Sequence, residues 1–434
     1  MKSIILATLA GIAVPAWAAD ATKLDWSAVP RSEVTLFYPG QASLQFVTGK
    51  EHRKGAAKAV LGGEPCLNCH KGEEAEIGAK IAAGKRLEPH PVAGKRGSIP
   101  LTVQAAFDKE NLYLKLFWPA KQAGAFHEYA VYRDGKWETY GTHRNNAAVA
   151  DGKLKASYED RFTVMLGETS GVSGFASQGC WVTCHNDMRY MPDEPKKAEV
   201  EAHPILGSAG MKKSDIRKYL AESRSAMGPS GGWDKIKPAA EVQALKAKGA
   251  FLELWQWRAY RSNPMRAADD GYVLEYRNFD AGKNPFFNNW DGAKNQPRFM
   301  FDPKKNGGRA GLTEAQFRDP KAPLLTPKNR VPYDPGYKWK NGDLMVKYGA
   351  EAPEGSAADN AVAGTFASGG WTLLWTRKLD TGNKDDVAIR PGDAYPVGFA
   401  IHDDNVTARF HHVSFPRTLT LGGKEGDIKA VQVK

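Results

Sequence analysis

Beyond Gly97 the chain alternates apolar and polar positions in short runs. Residues 101–107, a polar turn at Asp108 to Asn111, and residues 112–118 read as two strands joined by a hairpin. Residues 161–166, 271–277, 371–379, 395–401 and 406–415 read as further strands. Short strands separated by turn residues predict a mainly β protein, an antiparallel β-sandwich over residues 98–434. Helical periodicity marks residues 73–85, 213–225 and 239–250, and the last two lie in a helical insertion spanning residues 175–250. Residues 20–97 hold too little apolar material for a large core and predict a small lobe docked on the rest. Residues 278–355, rich in Gly, Pro, Asn and Lys, read as long surface loops, either a cover or docking surface or a solvated excursion.

The first residues give an address. Lys2, an apolar run from Ile4 to Val14 and the small-x-small sequence Ala16-Trp17-Ala18 form a secretory signal over residues 1–19. That run is too short to span a bilayer, and no later stretch offers about twenty apolar residues. The reading is an exported, periplasmic protein with no transmembrane segment after cleavage. At 42% hydrophobic and 25% charged, the 434 residues can bury a sizeable core, which excludes wholesale disorder. The net charge of +11 suits steering toward an acidic protein partner, and the compartment excludes nucleic acid.

The four cysteines carry the candidate chemistry. Two structural disulfides are the default in an oxidising compartment, but the spacing argues otherwise. Cys66-Leu67-Asn68-Cys69-His70 is a C-x-x-C-H motif, whose two thiols attach a haem and whose histidine is the proximal iron ligand. Cys180-Trp181-Val182-Thr183-Cys184-His185 repeats it with one extra residue between the thiols. With 10 histidines in the chain, chance places one after both cysteine pairs with a probability on the order of one in two thousand. Two covalent c-type haems are therefore expected, with one haem plus a Cys180–Cys184 disulfide as the alternative. A zinc site built from the four thiols is the weaker reading.

The distal ligands are sought among histidines and methionines. Leu87-Glu88-Pro89-His90-Pro91 trails the first motif and Val200-Glu201-Ala202-His203-Pro204 trails the second. That internal echo selects His90 for the first haem. For the second, His203, Met188, Met191 and the adjacent pair His411 and His412 compete. His127, His143 and His402 are read as ordinary structural histidines.

The stretches Val103 to Trp118, Asp160-Arg161-Phe162, Gly179 to His185, Trp371 to Leu379 and Pro396 to Asp403 resemble the ethylbenzene dehydrogenase-related haem-binding domain family, over roughly residues 97–434. This family is also described as cytochrome c-552/dimethyl sulfoxide reductase-like and includes γ subunits of molybdenum enzymes. The resemblance implies a β-sandwich with a haem at its edge, passing electrons between an iron–sulfur subunit and a soluble cytochrome. In those γ subunits the haem is noncovalent, held by a methionine and by a lysine of a late strand just before a Val-Ser ending. The matching position here, ahead of Val413-Ser414, is His411 or His412. The resemblance thus favours His411 over His203 as the ligand opposite His185. Two covalent haems and the N-terminal extension make the chain more similar to di-haem cytochrome members, some of which accompany respiratory nitrate reductase.

The functional expectation is electron transfer to or from a molybdenum-type respiratory oxidoreductase or a soluble redox partner, since an iron with two protein ligands has no open position for chemistry. A di-haem peroxidase or oxyanion reductase with one open iron position is the alternative. A carbohydrate-binding module built on exposed tryptophans is a third reading, although these rings are individually better suited to cores and haem walls. Trp118, Trp181, Trp255, Trp257 and Trp375 are the candidates for such walls. No P-loop or H-E-x-x-H motif is present.

Overall fold

The computed structural model describes residues 21–434 apart from 53–54, 85, 169–170, 208–217, 320–321 and 424. The expected signal peptide and residues 213–217 of the expected helix over 213–225 lie outside the described residues. The strands β1 (Ser32–Phe37), β2 (Ser98–Phe107), β3 (Asn111–Pro119), β4 (Arg161–Leu166), β5 (Leu252–Arg258), β6 (Gly271–Val273) and β7 (Arg277–Phe279) are the first seven of the thirteen strands of one large sheet. It is completed by β8 (Asn360–Ala367), β9 (Gly370–Lys378), β10 (Ala394–His402), β11 (His412–Val413), β12 (Arg417–Leu421) and β13 (Ile428–Gln432). Along the sheet the order is β7-β6-β5-β4-β10-β11-β1-β2-β3-β9-β8, while β12 and β13 bridge β10 to β2. The pairings along the main path are antiparallel, whereas β13 runs parallel to both β2 and β12.

Alternation explains how the sheet closes on itself. Leu114, Leu116 and Trp118 of β3 stand opposite Trp375, Leu373 and Trp371 of β9, so one face of this pair is continuously apolar. Phe162 and Val164 of β4 stand opposite Trp257 and Trp255 of β5. The two faces meet: Trp118 lies 5.5 Å from Phe162 and 6.1 Å from Trp257, and Trp255 lies 6.0 Å from Trp375, ring centre to ring centre. Strands distant along the sheet therefore share one core.

Residues 20–97 are woven into this body. β1 pairs with β2 along its length and reaches β11 through Phe37 and Val413. The helices α1 (Leu44–Val47), α2 (Ala56–Leu61), α3 (Cys66–His70) and α4 (Glu74–Ala82) follow it, α4 lying against β1.

Three expectations are corrected. Residues 406–415 do not form one strand: Ala408, at φ +53°, starts a 3-10 turn over Ala408–Phe410, and only His412–Val413 pairs as a strand. Within residues 218–225 the sole helical element is the short 3-10 turn Ala221–Ser223. Residues 278–355 are more than solvated loops. Phe301, Leu312, Leu325 and Leu344 are fully buried with Tyr129, Val131 and Trp137 in a second core, and Leu344–Val346 pairs with Tyr129–Arg133. The low density of apolar residues there concealed a core shared with a hairpin about 170 residues earlier in the chain.

Phe162 is fully buried where the two halves of the sheet meet. Replacing Phe162 with Ala is expected to cost about 3–5 kcal/mol in urea unfolding. An unchanged midpoint would show that the halves do not share a core.

Candidate functional site

The first thiol pair lies on α3, directly after Pro65, whose fixed φ suits the residue preceding a helix. Cys66 and Cys69 are one turn apart, so both thiols look out from one side of the turn. Cys66 is half-buried and Cys69 exposed. His70 closes the helix, with Nδ1 3.0 Å from Glu73 Oε2. That contact fixes Nδ1–H toward the carboxylate and leaves Nε2 with its lone pair, the arrangement found in histidines that bind metals.

A second imidazole faces this one. His52 sits 5.8 Å from His70, ring centre to ring centre, with planes 28° apart. Its Nδ1 is 3.0 Å from the Val47 carbonyl, and no hydrogen bond reaches its Nε2 among the described residues. Burial lowers its pKa, which keeps the ring neutral. His90 is exposed, and its backbone N–H faces Glu88 Oε1 at 3.4 Å.

The second thiol pair occupies the 3-10 turn Gly179–Thr183 and the residue after it. Gly179 has φ +62°, and a side chain there would press on Pro416 at 3.1 Å, so the sharp entry to Cys180 requires glycine. The additional residue gives the turn room to fold Trp181 inward, where it is 4% exposed. Residues from the N-terminal segment hold this turn: Leu44 N–H donates to the Cys184 carbonyl at 2.6 Å and Ser43 Oγ–H donates to Asn186 Oδ1 at 2.6 Å.

His185 is fully buried and stacks on Tyr219 at 4.0 Å. Both of its nitrogens are engaged, Nδ1 at 3.2 Å from Gln45 Nε2 and Nε2 at 3.1 Å from the Tyr219 carbonyl. Burial holds its pKa down to about 3. His411 differs. Its Nδ1 lies 2.8 Å from the Ala408 carbonyl, and no hydrogen bond to Nε2 is formed among the described residues. Burial, and then nearby Lys218, hold His411 neutral with a pKa of about 3. Lys218 also acts on Cys180, Cys184 and His185, so His411 and the second motif share one neighbourhood.

The remaining candidates have other uses. His412 Nε2 faces the Arg96 carbonyl at 2.8 Å, and its Nδ1 lies 3.5 Å from Asp403 Oδ1. His203 caps a turn, with Nδ1 accepting from Ile205 and Leu206 N–H and Nε2 at 3.1 Å from the Asp234 carbonyl. Met188 Sδ accepts from His185 N–H, and Met191 is buried.

The two motifs meet at an aromatic wall. Phe415 lies 5.8 Å from His70 with planes 10° apart, 5.6 Å from Trp181 and 4.7 Å from Phe37. Cys66 and Cys180 both pack against this cluster. Beside it, Arg409 makes a two-pronged contact with Glu88, at 2.6 and 3.0 Å, and donates to the Tyr190 carbonyl at 2.6 Å. Tyr38 O–H donates to the same carboxylate.

These residues fit covalently attached haem at the first motif: two thiols on one turn, followed by an imidazole oriented by a carboxylate. At the second motif the thiols and His411 fit, while His185 would have to exchange its Tyr219 contact to bind a metal through Nε2.

Residues 23–414 match the family model described as ethylbenzene dehydrogenase. The chain belongs to that family. The match takes in the first motif, which lies outside the stretch that resembles the family by its strands alone. Cytochrome c-552 of Stutzerimonas stutzeri is 29% identical over 436 residues, covering 100% of both chains. Cytochrome c-551 of Rhodocyclus tenuis is 33% identical over 171 residues, covering 39% of this chain and 58% of its own. No helix among the described residues is long and apolar enough to cross a membrane.

Sequence reasoning passed over His52, because a single histidine outside any motif carries no local signal. Its value comes from the fold, which brings it to His70.

Replacing Glu88 with Gln leaves Arg409 buried without its carboxylate and is expected to cost about 3–5 kcal/mol in guanidinium unfolding. Replacing Glu88 with Leu and Arg409 with Met together should cost less than either change alone. Equal or additive losses would mean that the pair does not act as a unit.

Proposed function

We propose that this chain is an exported, periplasmic di-haem c-type cytochrome that carries electrons and does not catalyse a reaction. The observation that supports this best is the shared wall of Phe37, Trp181 and Phe415, against which both thiol motifs pack. Two attachment sites separated by a few aromatic rings suit passage of an electron from one to the other. The full-length similarity to a cytochrome c-552 supports the same reading. The closed sheet is read as a two-layer β-sandwich, with both sites at the edge formed by β1, β10 and β11.

Bound haem would supply one-electron iron chemistry. On this reading Cys66 and Cys69 hold the first haem and His70 and His52 bind its iron. His52, whose ring faces His70 and whose Nε2 takes no hydrogen bond among the described residues, is preferred to the exposed His90 as the second imidazole that would hold that iron. Cys180 and Cys184 hold the second haem, with His185 and His411 as its ligands. Glu73 and the carbonyls of Val47 and Ala408 orient three of these imidazoles, while Phe415 and Trp181 exclude water. An iron held by two of these imidazoles would keep no open position for a substrate, which favours electron exchange with little rearrangement. The net charge of +11 suits docking of an acidic redox protein, a molybdenum oxidoreductase complex being one candidate.

Mass spectrometry of the mature protein should find two haems, retained after acid–acetone washing. A single haem would remove the second half of the proposal, and none would overturn it. Replacing His52 with Ala should give one high-spin haem that binds carbon monoxide, while the His90→Ala protein stays low-spin. The opposite pattern would return the first ligand to His90. Reduction by an acidic partner should slow as ionic strength passes about 0.1 M, where the screening length is about 10 Å. A salt-independent rate would assign the positive charge to another purpose.

A further inference from the structure

Far from both motifs in sequence, acidic side chains converge in the protein interior. One carboxylate oxygen from each of Glu253, Asp270 and Asp386 lies within 4.8 Å of the other two. Glu253 and Asp270 are fully buried, and the Asp386 side chain is 2% exposed. Asp280 and Asp359 act on the same group electrostatically. Arg377 is the cation among them, 2.6 Å from Glu253 Oε1 and 3.8 Å from Asp386 Oδ1.

The Arg377 guanidinium, with Lys246 acting on Asp280 from the side, does not offset these five carboxylates and Asp385 next to them. Water is largely excluded, so ionised neighbours at these separations repel strongly. The hydrogen bonding is also incomplete. Both oxygens of Asp280, itself 6% exposed, and Oδ1 of Asp386 lack a hydrogen-bond partner. Buried carboxylate oxygens rarely stay unpartnered.

Apart from the Arg377 guanidinium on Glu253 Oε1, the donors to the other oxygens are neutral. Val387 N–H reaches Glu253 Oε2 at 2.7 Å, Gly271 N–H reaches Asp270 Oδ1 at 2.8 Å, and Thr381 Oγ–H reaches Asp386 Oδ2 at 2.6 Å. Asn383 Nδ2 donates to Asp359 Oδ2 at 2.7 Å. Trp255 and Asn360 donate to Glu253 and Asp270. Such donors orient carboxylates around a cation and leave lone pairs free to bind it.

We propose that Glu253, Asp270, Asp280 and Asp386, with Asp359 beside them, form a structural calcium site. Oxygens bound to calcium at about 2.4 Å stand no more than about 4.8 Å apart, matching the spread of the Glu253, Asp270 and Asp386 oxygens. The donors are oxygens alone, with no histidine or thiolate, which selects a hard cation. A buried cage of several protein carboxylates suits calcium better than magnesium, which retains water ligands. The site would also have a structural purpose. Glu253 lies on β5 and Asp270 and Asp280 flank β6 and β7, at one end of the sheet path. Asp359 precedes β8 and Asp386 follows β9, at the other end. A cation here ties the two ends together. This inference is independent of the haem reading.

Elemental analysis of full-length protein purified with calcium in the buffer should find about one calcium per chain. Treatment with a chelator should lower the melting temperature by about 5 °C or more, with recovery on adding calcium chloride and little recovery with magnesium chloride. Asp280→Asn and Asp386→Asn proteins should lose the calcium response. If either variant fails to fold, the wild-type measurements still decide. No bound calcium together with a melting temperature indifferent to chelator and calcium would overturn the proposal. So would an Asp280→Asn protein that responds to calcium as the wild type does.

Discussion

The arrangement of the site depends on one buried guanidinium. Arg409 reaches Glu88 from the segment after the first motif, Tyr38 at the end of β1 and the Tyr190 carbonyl after the second motif. A charge in that position must keep its partners, because returning it to water means opening the contact between three segments at once. His411 lies two residues further on, so the contacts that hold Arg409 also set where that imidazole emerges. The 3-10 turn at Ala408–Phe410 is the local form this constraint takes, and it explains why the alternating sequence there does not continue as a strand.

Around that anchor, the N-terminal segment and the insertion are parts of one site. The β1–β11 pairing brings Phe37 beside Val413, and α1 caps the second motif through Leu44 and Ser43. A lobe that merely docked on a sandwich could move relative to it. Here the first motif is tied to the second through strand pairing, a backbone hydrogen bond and stacked rings, so the separation between the two motifs is built into the fold. For two redox centres, a fixed separation means a fixed rate of exchange between them.

Much of this was legible in the sequence. The motif Cys66 to His70 is local, and the strands at 101–118, 161–166 and 371–379 carry their alternation within a few residues. What stayed hidden was carried by distance along the chain. Glu88 and Arg409 are 321 residues apart, and neither shows in isolation that it will be buried. His52 has no motif. The second core is assembled from sparse apolar residues of 278–355 and a hairpin far upstream. The carboxylates from Glu253 to Asp386 carry no local pattern and come together only when the sheet closes over them. Chemistry that depends on spacing within one turn is readable, whereas chemistry that depends on register between distant strands is not.

The burial of the sulfurs bears on the order of assembly. Burial, and then the proximity of Cys180, raise the Cys66 thiol to about 11, and burial, with a smaller contribution from Cys184, raises Cys180 to about 11. Thiols held up in this way are poor nucleophiles while the fold is closed, so any chemistry at Cys66 or Cys180 is favoured before the sheet shuts over them, whereas Cys69, left exposed, stays within reach of a reagent throughout.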